Sequence, residues 1–355
     1  MTKCCYLNYY RCNYHPLFHL LGYPSGIMAL CAAAQRFINQ SVAPNTRNQY
    51  SAKFNTYRKF CYNIGVPPLP VTQNNLIFYA THLAYLVSHR TIKTHFSAIK
   101  YFAQTLGQDT DFTTFPRLHR LMAGIKRVQG QKYAKPKRIP VTPHLLYTLR
   151  NNLFTSSLNY EDKVMLWAAM LTAFFGFLRV SEYTSSHVRS HDPKATLYRS
   201  DITIRSPNII DVRIKASKTD PFRIGTVIRL TRNFSNLCPV QALMDYLEIP
   251  FHKPGPLFTF HDGRFLTRKT FAASLNRIKP HHIKNFSSHS FRIGAATTAA
   301  AAGHPRWLIQ ALGRWTSDCY KTYLRISDQT KSIVSQSLAT TFAIGPTFDP
   351  DNISH

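Results

Sequence analysis

Four short stretches of this chain concentrate residues able to do chemistry. They are Phe174-Phe-Gly-Phe-Leu-Arg179-Val-Ser-Glu182, Ala216-Ser-Lys218-Thr-Asp-Pro221, Ser288-His289-Ser-Phe-Arg292-Ile-Gly-Ala295 and Leu312-Gly-Arg-Trp315-Thr-Ser-Asp-Cys-Tyr320-Lys-Thr-Tyr323-Leu-Arg325. Arginine forks bind the non-bridging oxygens of a phosphate bidentately and stabilise charge in a transition state. Histidine can move a proton near neutral pH, and lysine can protonate a departing oxygen. A phenol of pKa about 10 is a better leaving group than an alcohol, so a bond from phosphorus to tyrosine forms reversibly. Together these residue types suit nucleophilic transfer at phosphorus with arginines supplying the positive charge. Taken singly each has an ordinary reading: Arg179 as an ion-pair partner of Glu182, Lys218 as a turn residue, Trp315 and Tyr323 as core aromatics.

The charge balance says which phosphate. The 355 residues carry 44 Lys and Arg against 16 Asp and Glu, a formal net charge of +28. Residues 1–108 contain no acid at all, and within the first 160 only Asp109 and Asp111 stand against nineteen bases. Such an excess favours a polyanionic partner, nucleic acid above all, and argues against an ordinary small-molecule enzyme. No Gly-x-x-x-x-Gly-Lys-Ser/Thr loop is present to hold a nucleoside triphosphate. Seven scattered cysteines, an odd number without a Cys-x-x-Cys pair, suggest free thiols in a reducing compartment and no zinc site. The stretch Leu17–Ala34 is interrupted by His19, Pro24 and Gly26, and no apolar run reaches the roughly 18 residues of a membrane span. An intracellular, unsecreted protein is expected, with neither metal nor cofactor.

The length suggests two domains. Residues 1–27 are irregular and unassigned. Over 28–128 the pattern is helical: Asn45 is placed to cap a helix with Tyr50, Phe54, Tyr57 and Cys61 on one face, ended by Gly65-Val66-Pro67-Pro68. Further helices are expected at Asn74–Leu86, Thr91–Leu106 and Leu118–Val128, with Lys93, His95 and Lys100 directed away from the apolar stripe Ile92, Phe96, Ile99, Phe102. Residues 129–141 form a basic, proline-containing linker whose Lys135, Lys137 and Arg138 suit phosphates, or a nuclear import signal. From Thr142, a plausible cap, to residue 340 the order is helix, three short strands (Asp201–Ile204, Ile209–Lys215, Ile224–Leu230), then helices near 240–247, 267–277, 291–302, 305–312, 320–326 and 329–338. Residues 341–355 form a tail. The fold class is α+β: an all-helical domain, then a mainly helical domain with a small antiparallel sheet.

The ordered series Arg179, Lys218, His289-x-x-Arg292, Trp315, Tyr323, behind a basic helical domain, resembles the tyrosine recombinases of the phage-integrase type. In texture it is closest to those of eukaryotic mobile elements such as Cryptons and DIRS-like elements. The resemblance covers about residues 30–340. It implies a core-binding domain and a catalytic domain closing on double-stranded DNA, with Lys93, His95, Lys100, Lys135, Lys137 and Arg138 on DNA. It implies a tetramer on two DNA sites, and strand exchange through a 3′-phosphotyrosine. Tyr323 would be the nucleophile, Arg179 and Arg292 the phosphate clamps and His289 the proton carrier. Lys218 would be the acid for the 5′-oxygen, Trp315 an indole donor, and Glu182 a support for the arginine region. If the host is eukaryotic the nucleus is the expected compartment. Two departures stand out: Tyr323 follows Trp315 by eight residues where the family has nine, and Tyr320, one turn earlier, is a rival nucleophile. Tyr323 is preferred because Tyr-Leu-Arg matches the family's Tyr-Ile-Arg. A catalytically silent, domesticated DNA-binding protein and a type IB-like topoisomerase are the alternative readings.

Overall fold

A computed structural model describes residues 26–108, 110–130, 136, 138–218, 220–250, 255–322 and 332. The chain divides into two compact units, Met1–Lys135 and Pro136–His355. In the first, five α-helices follow one another among the described residues: α1 (Ile27–Gln40), α2 (Pro44–Asn63), α3 (Gln73–Leu86), α4 (His89–Thr105) and α5 (Pro116–Gln129). Asn45 is not the cap of α2. The helix starts one residue earlier, at Pro44, whose fixed φ and missing N–H suit the first helical turn. Thr72 and Ser88 do cap α3 and α4, accepting from the amides of Asn75 and Thr91. The apolar faces meet in a core of Phe54, Tyr57, Cys61, Leu76, Tyr79, Ile92, Phe96, Ile99, Met122 and Ile125.

The second unit holds α6 (Pro143–Phe154), α7 (Tyr160–Phe175), α8 (Val180–Tyr183), strands β1 (Ile202–Ser206), β2 (Ile209–Ile214) and β3 (Thr226–Thr231), then α9 (Pro239–Glu248), α10 (Arg268–Ile278), α11 (His289–Ala301) and α12 (Arg306–Leu312). Thr142 caps α6 through the Leu145 amide, as its position predicts. Helix α7 is apolar on every side and is correspondingly buried from Val164 to Phe174, forming the unit's axis. The sheet is antiparallel in the order β1-β2-β3, with Ile210, Val212, Ile214 and Leu230 buried on its inner face. The last residues of the predicted linker belong to this unit. Val141 is fully buried and its amide donates to the Ser290 carbonyl at 2.9 Å, while Ile139 donates to Asn285.

Candidate active site

The site is built where α7 ends. After Gly176 the backbone passes through a left-handed residue, Phe177 (φ 51°), and sets Arg179 at the N-cap of α8. Glu182, one turn on, reaches back. Its Oε2 accepts the Arg179 amide at 2.9 Å and its Oε1 accepts Arg179 Nη1 at 3.0 Å. The same Nη1 donates to Ser217 Oγ at 3.0 Å, which draws the β2–β3 connection against the arginine. That connection is shaped by Asp220, whose carboxylate accepts the amides of Ile224 (3.1 Å) and Gly225 (2.8 Å). Lys218 stands exposed beside Ser217. Lys215, the other lysine of the hairpin, is engaged elsewhere, paired with Asp201 at 2.8 Å and lying 4.0 Å over the Tyr198 ring.

Helix α11 brings His289 and Arg292. Arg292 is 1 % exposed, and the expected phosphate fork is turned to the main chain: Nη1 donates to the Phe177 carbonyl at 2.5 Å and Nη2 to the Gly313 carbonyl. Its guanidinium carbon lies 4.5 Å over the ring of Trp315, a cation–π contact in a buried setting. Trp315 also meets Phe177 edge-on, with ring centroids 6.5 Å apart. It can lie there only because residue 313 is glycine. A Cβ at that position would fall 1.7 Å from the indole Cζ3. Tyr320, the rival nucleophile, is buried (3 % exposed) with its ring 6.1 Å from that of Trp315, which suits a packing role. Tyr323 lies outside the described residues, as do Lys135 and Lys137.

The residue that sequence reasoning passed over is Arg314. Its Nη2 donates to Glu182 Oε2 at 2.8 Å and to the Phe177 carbonyl at 3.3 Å, and its Nη1 donates to the Gly176 carbonyl at 3.2 Å. Glu182 therefore sits between two guanidiniums with a side chain that has no exposure. Removing one partner of such a buried set costs about 3–5 kcal/mol. The signal available in the sequence was only that Arg314 adjoins Trp315.

His289 is half-buried, and its pKa is pushed down to about 4. Burial is the main cause, followed by the positive charges of Arg138, Arg292, Arg179 and Arg268. The ring is therefore neutral at pH 7 and able to accept a proton. A sign follows for stability. The unfolded chain takes up the His289 proton near pH 6.5 while the folded chain resists until about 4, so this contribution is present above 6.5 and is lost as the pH falls toward 4. Wild-type protein should lose more of its urea midpoint between pH 7.5 and 5 than His289→Gln. Equal losses would show that the histidine is not held neutral.

The other expected DNA contacts lie in the first unit. Lys93 is exposed and Lys100 half-exposed, 3.9 Å from Asp111. His95 is corrected: it is buried, its Nδ1 hydrogen-bonded to the Tyr79 hydroxyl at 2.8 Å, and burial followed by Lys53 lowers its pKa. It is a core histidine and faces neither groove nor phosphate. Among the described residues no three His, Cys, Asp or Glu side chains are grouped to hold a metal ion, and no helix is long and apolar enough to cross a membrane.

The mainly helical second unit with its three-stranded antiparallel sheet matches the tyrosine recombinase catalytic fold, and solved structures show how far the likeness runs. The Tn1549 transposon integrase (residues 82–397, in complex with circular intermediate DNA) superposes with a TM-score of 0.59 at 14 % identity, over 86 % of this chain and 97 % of that one. The XerH site-specific recombinase bound to a palindromic difH substrate gives 0.58 at 15 % identity, over 83 % and 79 %. A lambda integrase (75–356) dimer bound to a COC′ core site gives 0.55 at 15 %, over 92 % and 99 %. At these identities the likeness is one of fold. No protein-family model and no curated protein sequence matches the chain.

Proposed function

We propose that this chain cleaves and rejoins double-stranded DNA through a 3′-phosphotyrosine, as a recombinase or integrase belonging to a mobile element. The observation that carries the reading is convergence. Arg179, the Ser217–Lys218 turn, His289, Arg292 and Trp315, drawn from segments spread over more than a hundred residues of chain, are gathered round the end of α7. A net charge of +28 gives the chain the field a DNA partner requires. Similarity to recombinases solved with DNA points the same way.

In this mechanism the Tyr323 oxygen attacks the scissile phosphorus, and neutral His289 takes the phenolic proton. Arg179 binds the non-bridging oxygens. Arg292 adds its positive potential from below while fixing the turns that carry Arg179 and Trp315. The P–O bond to the 5′-oxygen breaks, and Lys218 protonates that oxygen. Attack by the 5′-hydroxyl of a second strand reverses each step and frees the tyrosine. Exchange between two duplexes then calls for four copies on two sites. Because the arginines supply the charge, the cycle needs neither a metal ion nor ATP.

A nicked suicide substrate tests this. Wild-type protein should form a covalent DNA adduct in excess chelator, and peptide mapping should place it on Tyr323. Tyr323→Phe should bind DNA as well as wild type and form no adduct. Adduct mapped to Tyr320, or an adduct lost in chelator and restored by magnesium, would sink the assignment. Binding without adduct would mark a DNA-binding protein that has lost catalysis, and plasmid relaxation without two-site recombination a topoisomerase.

A further inference from the structure

We infer that Arg314 is a positioning residue for Arg179: it occupies one side of the Glu182 carboxylate and so keeps the Arg179 fork open to a phosphate. The inference rests on the reading above for the nature of that phosphate. Guanidinium and carboxylate pair best through two parallel hydrogen bonds. Arg179 and Glu182, three residues apart and both largely buried, would be expected to close in that way. They do not. Of the Arg179 guanidinium only Nη1 reaches Glu182, at Oε1, and it is shared with Ser217 Oγ. Nε and Nη2 of Arg179 make no hydrogen bond among the described residues.

The second carboxylate oxygen explains why. Glu182 Oε2 already accepts two donors, the Arg179 amide at 2.9 Å and Arg314 Nη2 at 2.8 Å. Arg314 is not a mobile surface cation that drifted there. Its side chain is 14 % exposed, it sits at φ 53°, and the carbonyls of Gly176, Phe177 and Leu312 accept from it at 3.2–3.4 Å. Charge counts in the same direction. Two guanidiniums on one carboxylate leave a net +1, so Arg179 keeps a cation's field, whereas Arg179 and Glu182 alone would be a neutral pair. Burial lowers the Arg314 pKa, the contact with Glu182 offsets part of that, and the charge of Arg179 adds to the lowering.

The test compares wild type with Arg314→Met, Arg314→Lys and the double variant Arg314→Met/Glu182→Gln by two measurements. The first is labelling of Arg179 by phenylglyoxal, read by peptide mass spectrometry with and without inorganic phosphate. The second is single-turnover adduct formation on the suicide substrate. Arg314→Met should cut Arg179 labelling, and its protection by phosphate, about fivefold, and slow adduct formation by a larger factor with DNA affinity within twofold. Arg314→Lys should fall between the two, and Glu182→Gln in the double variant should restore labelling, because no carboxylate remains to capture Arg179. Unchanged Arg179 labelling in folded Arg314→Met, or no recovery in the double variant, would overturn the inference and leave Arg314 a structural residue. Should Arg314→Met not fold, Arg314→Lys and the double variant decide the same question. Should wild type form no adduct, the DNA-cleavage reading falls, while the labelling series still decides the role of Arg314.

Discussion

Arg292→Met is expected to slow adduct formation about a thousandfold and to destabilise the second unit by about 4 kcal/mol. The side chain is 1 % exposed and donates to the carbonyls of Phe177 and Gly313. Methionine fills similar volume but donates nothing, so the Gly313 carbonyl loses this donor and the Phe177 carbonyl keeps only Arg314 Nη2 at 3.3 Å, a loss of about 1–3 kcal/mol for a buried group left unpaired. The contact with the Trp315 ring, about 2 kcal/mol when desolvated, goes as well. Repacking by an apolar chain returns part of that sum. Catalysis falls further, by about a thousandfold, because the two turns lose their common tie and the site loses a charge. Arg292→Lys, which keeps the charge and one donor arm, should recover roughly half of the stability. Urea unfolding and the single-turnover adduct assay read the two effects separately. A folded Arg292→Met with unchanged midpoint would show that the carbonyl bonds contribute nothing.

Gly294→Ala should be nearly as damaging, although it adds one methyl group. The new Cβ would lie 1.9 Å from the Val141 carbonyl oxygen and 2.7 Å from that residue's backbone carbon and nitrogen. No rotamer change relieves a clash with backbone, so the 139–141 segment and α11 must part, breaking the Val141 to Ser290 hydrogen bond. We expect a net loss of about 3 kcal/mol, the overlap outweighing the roughly 1 kcal/mol by which alanine favours a helix. Since α11 carries both His289 and Arg292, a shift of about 1 Å should cost cleavage about a hundredfold even where the protein stays folded. Gly124→Ala in α5 is the control. Nothing lies within 4 Å of its Cβ, so the same substitution there should raise the thermal midpoint. A neutral Gly294→Ala would mean that α11 and the 139–141 segment are not packed as described.

Much of the fold could be read from residue pattern, for reasons specific to each element. Phe54, Tyr57 and Cys61 at helical spacing, and the β-branched runs around Ile210 and Ile228, announce one buried face each, and burial is what fixes these elements. Thr142 was legible as a cap because its hydroxyl serves a local amide. Arg179, His289 and Arg292 were legible by order alone. Their partners were not: Glu182 and Arg314 are 132 residues apart, and nothing local in Leu-Gly-Arg-Trp says which carboxylate the arginine meets. The left-handed residues of these turns, Phe177 and Arg314, are not themselves glycine, and Gly176 and Gly313 stand one position earlier. His95 was misplaced because a polar residue beside the stripe of α4 reads as surface. Tyr79, from another helix, supplies the partner that makes burial tolerable.

The wide sequence separation of these partners also governs when the pocket can come into being. Arg292 reaches back 115 residues to Phe177, and Arg314 reaches back 138 to Gly176. Closing such long loops costs entropy that a largely formed body repays, so these bonds are expected to form after α7, the sheet and α9 collapse, and Arg292→Met should raise the unfolding rate while leaving the refolding rate nearly unchanged. Interactions absent from the folding transition state act on the escape from the native state and leave the approach to it untouched. On that expectation the arginine lattice round Glu182 would work as a latch on the finished unit, setting how long the native state lasts, while the earlier elements would set how fast it is reached.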